Sequence, residues 1–326
     1  LINFAHGEVF MVGAFATYFL FTVTPYGWVS ALLFAAVLAF GVNRLVALFR
    51  TSPRDPVTLG ATGVSFVALF FLLQAGTWPF WAALIGSMLA TGVLGVTIER
   101  VAYQPLRTAP RNSLLITAIA VSFLLQNLGL LTLTNRQTPF RPETGLLNAV
   151  QLPIGEQVVQ TNALFVGIPL LTLVLVLVLH NFVTRSRLGR AMRAAAQDAE
   201  TAQMMGVSVN KVIATTFFIG SILAAAGGAM WGLNFGSLNQ PAILGILPGI
   251  KAFAAAVIGG IGSLPGAVIG AVVIGFSESF LTALFPRTAD FQGITEFKDT
   301  FAFVLLIIVL LIKPSGIVGE DLSEKV

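Results

Sequence analysis

The chain has 326 residues, of which 56% are hydrophobic and 10% charged, with a formal net charge of +4 and no cysteine. Soluble domains carry about 25% charged residues, and a soluble fold this poor in charge would expose large apolar patches to water. The composition therefore points to a lipid-embedded protein and excludes disulfides and thiolate metal sites. The basic residues cluster at the ends of apolar stretches, so nucleic acid is not needed to explain them.

No Asp, Glu, Lys or Arg falls in 9–43, 56–98, 112–135, 157–184, 212–250, 252–277 or 300–312. A membrane-spanning helix needs about 20 mainly apolar residues because the hydrocarbon core is about 30 Å thick. These stretches are apolar on all sides, without the polar alternation of a barrel strand. The expected fold class is all-α: a polytopic transmembrane helical bundle forming one domain over 1–326.

In chain order, Asn3, His6 and Glu8 lead into a first span at 9–24. No charged region precedes them, so this is not a signal peptide. The natural N-terminus, with one further span, is expected to lie before Leu1. Ionisable groups at membrane depth usually face the bundle interior or water, which makes Asn3, His6, Gly7 and Glu8 candidates for a solute pathway. The alternative is that Asn3 and Glu8 cap a helix start. His6 and Glu8 lack the partners of a metal site.

Spans follow at 28–49, 58–76 and 80–98, separated by turn chemistry at Thr24-Pro25-Tyr26-Gly27, Ser52-Pro53-Arg54-Asp55-Pro56 and Gly76-Thr77-Trp78-Pro79. Trp28, Trp78 and Trp81 stand at span ends, as interfacial aromatics do. The next span, 113–134, carries Gln126 and Asn127 at its middle, where interhelical hydrogen bonds are expected. A polar loop occupies 135–162, and a span at 163–183 ends near an interfacial His180.

Residues 184–211 form the longest internal polar stretch. Within it 190–205 has good helix formers and no Pro or Gly, and Gly206 is a natural stop. One helix is expected, with Ala191, Ala194, Ala195, Ala202 and Met205 on a weakly apolar face. It suits docking into a groove on another protein, or it is an ordinary solvated loop helix.

After a span at 211–235 comes a broken segment at 249–285, interrupted at Gly259-Gly260-Ile261-Gly262-Ser263-Leu264-Pro265-Gly266. Each glycine costs a helix about 1 kcal/mol and a proline about 3 kcal/mol. Broken helices at membrane depth often mark transport pathways, so Gly259, Gly260, Gly262, Ser263 and Gly266 join the pathway candidates. Close packing through small residues is the other reading. Lys251 and Glu278, one in each half, are each candidates to pair with a group inside the bundle, and Glu278 is a further pathway candidate. The last span is 299–313.

Orientation follows from Lys and Arg. Arg44, Arg50, Arg54, Arg100, Arg107, Arg111, Arg185, Arg187, Arg190, Arg193 and Lys211 share one side, and only Arg136, Arg141, Arg287 and Lys298 the other. The first side is expected to be cytoplasmic, with 184–211 and the C-terminus, and 135–162 external. No G-x-x-x-x-G-K-[ST], H-E-x-x-H or G-x-S-x-G occurs. No enzyme activity is expected, and any ATP-driven function needs an ATPase on another chain.

Taken together these segments resemble a family. Ile2-Asn3-Phe4-Ala5-His6-Gly7-Glu8 resembles the signature after the first helix of LivH-type permeases, the membrane subunits of ABC importers for branched-chain amino acids. Glu99-Arg100-Val101-Ala102-Tyr103-Gln104-Pro105-Leu106-Arg107 resembles that family's basic cytoplasmic segment. Gly189-Arg190-Ala191-Met192-Arg193-Ala194 followed by Asp198, Ala202 and Gly206 resembles its coupling loop. Lys251-Ala252-Phe253 through Gly266, and Lys313-Pro314-Ser315-Gly316-Ile317, resemble its late elements.

The resemblance implies a permease subunit forming half of a translocation pathway in the plasma (inner) membrane. Its implied partners are a LivM-like second permease, two cytoplasmic ATP-binding subunits and an external solute-binding protein. It implies that 190–206 is a coupling helix docked on an ATPase through Gly189, Arg190, Arg193, Ala194, Asp198, Ala202 and Gly206. ATP would be bound by the partner subunits, with no cofactor in this chain. The chain departs from the family in lacking the usual first helix and in holding an apparent insertion of two spans at 28–76. The alternatives are a permease for urea or short amides in the same family, and an ATP-independent secondary transporter.

Overall fold

A computed structural model describes residues 3–22, 35–43, 64, 67, 78–107, 109–133, 136–142, 144, 147–154, 157–285 and 297–319. Residues 35–43 are helical, as are 64 and 67. The remainder of the expected spans at 28–49 and 58–76, with Trp28, Arg44, Arg50, Arg54 and Arg287, lies outside the described residues. The chain divides into two compact units, Leu1–Gly245 and Ile246–Val326.

In the first unit the helices are α1 (His6–Phe21), α2 (Phe80–Ile98), α3 (Arg111–Thr132), α4 (Leu164–Arg185), α5 (Arg187–Gln197), α6 (Ala199–Met204), α7 (Val209–Phe235) and the short α8 (Pro241–Leu244). The second unit holds α9 (Ile246–Gly259), α10 (Leu264–Leu284) and α11 (Lys298–Ile312). Five stretches among the described residues are long and apolar enough to cross a membrane: Phe80–Leu106, Asn112–Thr132, Leu164–Arg185, Val209–Phe235 and Leu264–Leu284. The shorter α1, α9 and α11 are also apolar. The chain is a multi-pass, all-α membrane protein.

The first unit is built around α7, which packs against α1 and α2. Small residues make this possible. Ala224, Ala225, Ala226, Gly228 and Ala229 on α7 are all buried. A Cβ on Gly13 would overlap the backbone of Ala225, one on Gly228 would overlap the carbonyl of Phe10, and one on Gly95 would overlap Ser221 Oγ. Between helices in lipid there is little hydrophobic drive, so contact at this range supplies the van der Waals attraction that holds them together. Thr17 and Ser87 add a 2.6 Å hydroxyl–hydroxyl bond between α1 and α2.

One end of this packing is closed by aromatic rings. Phe140 is fully buried and meets Phe21, Phe80 and Tyr18 at centroid distances of 5.2, 6.4 and 6.3 Å. It is held there by strand β1 (Thr138–Pro139), which pairs antiparallel with β4 (Ser237–Leu238) just after α7. The 135–162 loop also contains a hairpin, β2 (Ala149–Ile154) with β3 (Gln157–Asn162). The sequence offered no expectation of it, because only a polar loop was read there. By contrast α4 buries only Leu164, as expected of a helix facing lipid.

In the second unit α9 and α10 run back to back through glycine. A Cβ on Gly259 would overlap Gly266, and one on Gly270 would overlap the Ala255 carbonyl. Between them, Gly260 and Gly262 take positive φ angles of 108° and 94°, a turn that L residues with side chains adopt only under strain. Ser263 Oγ accepts from Gly266 N–H at 3.1 Å and caps α10. The segment after α11 returns to this turn: Ile317 N–H donates to Ile258 O at 2.8 Å and Val318 N–H to Gly259 O at 3.0 Å. The carbonyls freed where α9 ends are thus satisfied by the chain's own later segment.

Replacing Gly13 with Leu is expected to lower the stability of the folded chain by about 1–3 kcal/mol, as overpacking does. The measurement is the thermal midpoint in detergent, with Gly275→Leu as the control, since Gly275 faces open space.

Candidate functional site

Glu8 is the centre of the first polar cluster. It lies on α1, 1% exposed, and its Oε1 accepts from Gln126 Nε2 at 2.8 Å and from Ser122 Oγ at 3.1 Å on α3. Its Oε2 is buried and has no hydrogen-bond partner among the described residues. A Cβ on Gly245 would overlap that oxygen, so the glycine after α8 is what leaves space for the carboxylate. Glu8 is therefore a buried crosspiece between α1 and α3. The helix-cap reading does not hold for Glu8, whose carboxylate turns inward to the amide of Gln126; Asn3 does accept from a backbone N–H, that of Ala5, at the entry to α1.

The other N-terminal candidates stand close by. Asn3 Oδ1 accepts from Tyr103 O–H at 2.8 Å and from Ala5 N–H at 3.2 Å. His6 is half-buried, 3.8 Å from where a Cβ on Gly220 of α7 would lie. Gly7 is buried in α1. Gln126 makes the interhelical bond expected of it. Asn127 does not: it is exposed, and its Nδ2 donates to Phe123 O at 2.8 Å within its own helix. One residue of helical rotation, about 100°, turns it away from Glu8. Ser122, four residues before Gln126, was not anticipated, although that spacing places both on one helix face.

In the second unit Gly259, Gly260 and Gly266 are buried in backbone contact, whereas Gly262 is exposed and Ser263 caps α10. The close-packing reading of the glycines is therefore realised together with the helix break. Lys251 and Glu278 both find a partner inside the bundle, and it is each other, at 2.8 Å; Asp299 at the start of α11 joins them 2.6 Å from Lys251 Nζ. This triad ties α9, α10 and α11 together. Asp299 was missed because its contact depends on a third helix.

The polar loop differs from the single helix expected. It forms α5 and α6, broken at Asp198, whose backbone is extended (φ −152°, ψ 109°). Asp198 is the N-cap of α6: its Oδ1 accepts from Glu200 N–H at 2.9 Å and Thr201 N–H at 3.1 Å, and its Oδ2 from Thr201 Oγ1. Asp favours such a local arrangement over continuing a helix. These bonds, that from the Thr201 hydroxyl first, hold the Asp198 carboxyl below the usual carboxylate range. Gly206 ends α6 at φ 85°, as expected of a left-handed stop.

Gly189 lies against the end of α4, where a Cβ would overlap the Val183 and Phe182 carbonyls. Arg193 donates to Val183 O and, at 3.3 Å, to Thr184 O, and Arg190 donates to Arg185 O at 3.3 Å. These cations cap the negative end of α4 and fix the loop's angle to the bundle. Ala202 is buried and Ala194 exposed. Met204 and Met205 are 86% and 80% exposed, an apolar tip on an otherwise polar loop.

The family described as branched-chain amino acid transport system, permease component, matches residues 54–310. The chain belongs to this permease family. The permease is 35% identical to the high-affinity branched-chain amino acid transport system permease protein LivH of Escherichia coli K12, over all of this chain and 88% of that protein. It is 36% identical to BraD of Pseudomonas aeruginosa PAO1 over the same shares. It is 27% identical to a probable LivH of Methanocaldococcus jannaschii, over 79% of this chain and 80% of that protein. No solved structure matches the permease. Among the described residues no cluster of His, Cys, Asp and Glu could hold a metal ion.

Glu8→Ala removes the acceptor that Ser122 and Gln126 share, leaving them only the weaker 3.4 Å bond to each other, and is expected to cost about 1–3 kcal/mol. Glu8→Gln keeps the accepting oxygen and should cost less, and thermal unfolding in detergent compares the two. The Asp198 carboxyl has a lower pKa folded than unfolded. Its cap is therefore fully present above the ordinary aspartate value of about 3.9 and is lost as pH falls through the folded value. Asp198→Ala should remove hydrogen-exchange protection from 199–204 at neutral pH.

Proposed function

We propose that this permease forms half of the solute pathway of an ATP-driven importer for branched-chain or related amino acids. The observation that carries the reading is the loop of α5 and α6: a rigidly seated polar element, with no nucleotide-binding motif in the chain, that exposes Met204 and Met205. Thioether side chains adapt to a partner's groove. The substrate class follows from the names of the LivH and BraD relatives.

In this reading the loop of α5 and α6 docks on one of two cytoplasmic ATPases. Gly189, Arg190 and Arg193 hold its base to α4, Ala194, Met204 and Met205 meet the ATPase, and Asp198, Ala202 and Gly206 shape α6. A LivM-like permease completes the pore, and an external binding protein delivers the solute. The basic loops and the C-terminus face the cytoplasm of a plasma-membrane protein, and the residues at 28–76 add two spans. Ionisable groups inside a membrane mark solute routes by default. Glu8 with Gln126, beside Asn3, His6 and Gly7, is the polar element of the pathway in the first unit, and Asn127 remains a weaker candidate. The glycines at 259–266 form the pivot of the second unit, steadied by Lys251 and Glu278.

The test is leucine uptake into proteoliposomes holding this permease with its second permease, ATPase and binding protein. Uptake is expected to require ATP inside and the binding protein outside. Gly206→Val, which forces a branched side chain into the left-handed region, should abolish uptake while insertion persists. Leucine uptake by this chain alone without ATP would overturn the importer reading.

A further inference from the structure

The sequence reading placed no functional residue in the segment after α2, beyond its resemblance to a basic cytoplasmic stretch. The structure shows an unusual backbone there. Helix α2 widens into a π-helical turn at Glu99–Tyr103 and then tightens into a 3₁₀ turn at Gln104–Leu106. Pro105 accounts for the change: it has no N–H to donate, and its ring would strike the carbonyl four residues earlier in a regular helix. Single π turns of this kind are enriched at functional sites.

The widened turn points two side chains inward. Tyr103 is buried, bonds Asn3 as above, and sets its ring 5.3 Å from Phe217 of α7. Glu99 is fully buried, with a side-chain exposure of 0%. A carboxylate in such a place persists only with close cationic partners. It has two: Arg100 Nε stands 3.4 Å from Oε2, and Arg107 Nη2 bonds Oε1. Arg100 is itself braced by Gln104 Oε1 at 3.0 Å. The other arm of the Arg107 fork, Nη1, bonds Asn210 Oδ1. Asn210 lies in the first turn of α7, four residues after Gly206 ends the α5–α6 loop.

The geometry points to Arg107 as a positioning residue that straps the first turn of α7, where the α5–α6 loop joins it, to the buried end of α2, through Asn210 on one arm and Glu99 on the other. The planar guanidinium suits this because its two arms are fixed relative to each other. A push on α6 reaches Asn210 through one short connection. The strap passes it to Glu99, anchored in the packed interior, and the same turn carries it through Tyr103 to Asn3 at the head of α1. Without the strap, the first turn of α7 could shift relative to the end of α2, and the α5–α6 loop with it. This deepens the importer reading and rests on it for the statement that α6 receives the push.

Asn210→Ala is the informative variant, because Asn210 is exposed and its loss leaves the Glu99–Arg107 pair intact. In the assembled importer, uptake per ATP hydrolysed is expected to fall by about fivefold or more, with hydrolysis continuing. Asn210→Asp, which keeps an acceptor for Arg107, should retain wild-type coupling, a rescue that loss of packing alone would not give. Arg107→Lys, which keeps the charge but not the fork, should behave like Asn210→Ala. A second measurement does not depend on transport. The chain has no native cysteine, so Val101→Cys and Gln203→Cys, both at exposed positions, accept spin labels in the full chain in nanodiscs. Their distance distribution should be narrow and should broaden in Asn210→Ala. A distribution or an uptake-to-hydrolysis ratio unchanged by Asn210→Ala overturns the strap. A wild-type complex that fails to import with ATP overturns the importer reading instead, and the distance measurement alone then decides the strap.

Discussion

The first unit depends on the approach of α7 to α1 and α2 at backbone range. In lipid, helices gain nothing by hiding apolar side chains from an apolar solvent, so association rests on contact and on the few polar bonds that contact permits. Gly13, Gly95 and Gly228 set that distance, because any side chain at these positions would occupy a neighbouring backbone or hydroxyl. The second unit repeats the device with Gly259, Gly266 and Gly270. Among the described residues the glycines therefore serve mostly as points of contact, and fewer as breaks in helices.

Close packing also explains how the chain keeps charge at depth. Glu8 is accommodated because Gln126 and Ser122 donate to one oxygen and Gly245 leaves room for the other. Glu99 is accommodated because Arg100 and Arg107 reach it from its own turn and the segment just beyond. Lys251 is shared by two carboxylates from two further helices. In each case removal of one partner would strand the rest in low dielectric. Polar groups thus give register and specificity to surfaces that apolar packing alone would leave free to slide.

The α5–α6 loop shows the same economy outside the apolar region. Its arginines turn back to the end of α4 while its methionines project outward. The basic residues that indicate orientation in the sequence thus also fix the loop mechanically. The break at Asp198 lets α6 change direction relative to α5, which one continuous helix would not.

Much of this was legible in the sequence. Runs free of charge located α1, α2, α3, α4, α7 and α11 to within a few residues, since lipid imposes length and apolarity directly on the chain. Gly206 and the glycine run at 259–266 marked a stop and a break, because glycine conformation is a local property. Other features were not legible: the split at Asp198, where a side-chain cap outcompeted good helix propensity, the hairpin at 149–162, and the outward direction of Asn127. The partners of Glu8 and Lys251 were also hidden, since each lies on another helix and is selected by helix rotation. Composition and periodicity determined that this chain is a bundle of membrane helices with a polar loop. Only the tertiary structure decided which buried charges meet, because in a medium without hydrophobic drive the rotation of each helix is set by small-residue contacts tens to hundreds of residues apart.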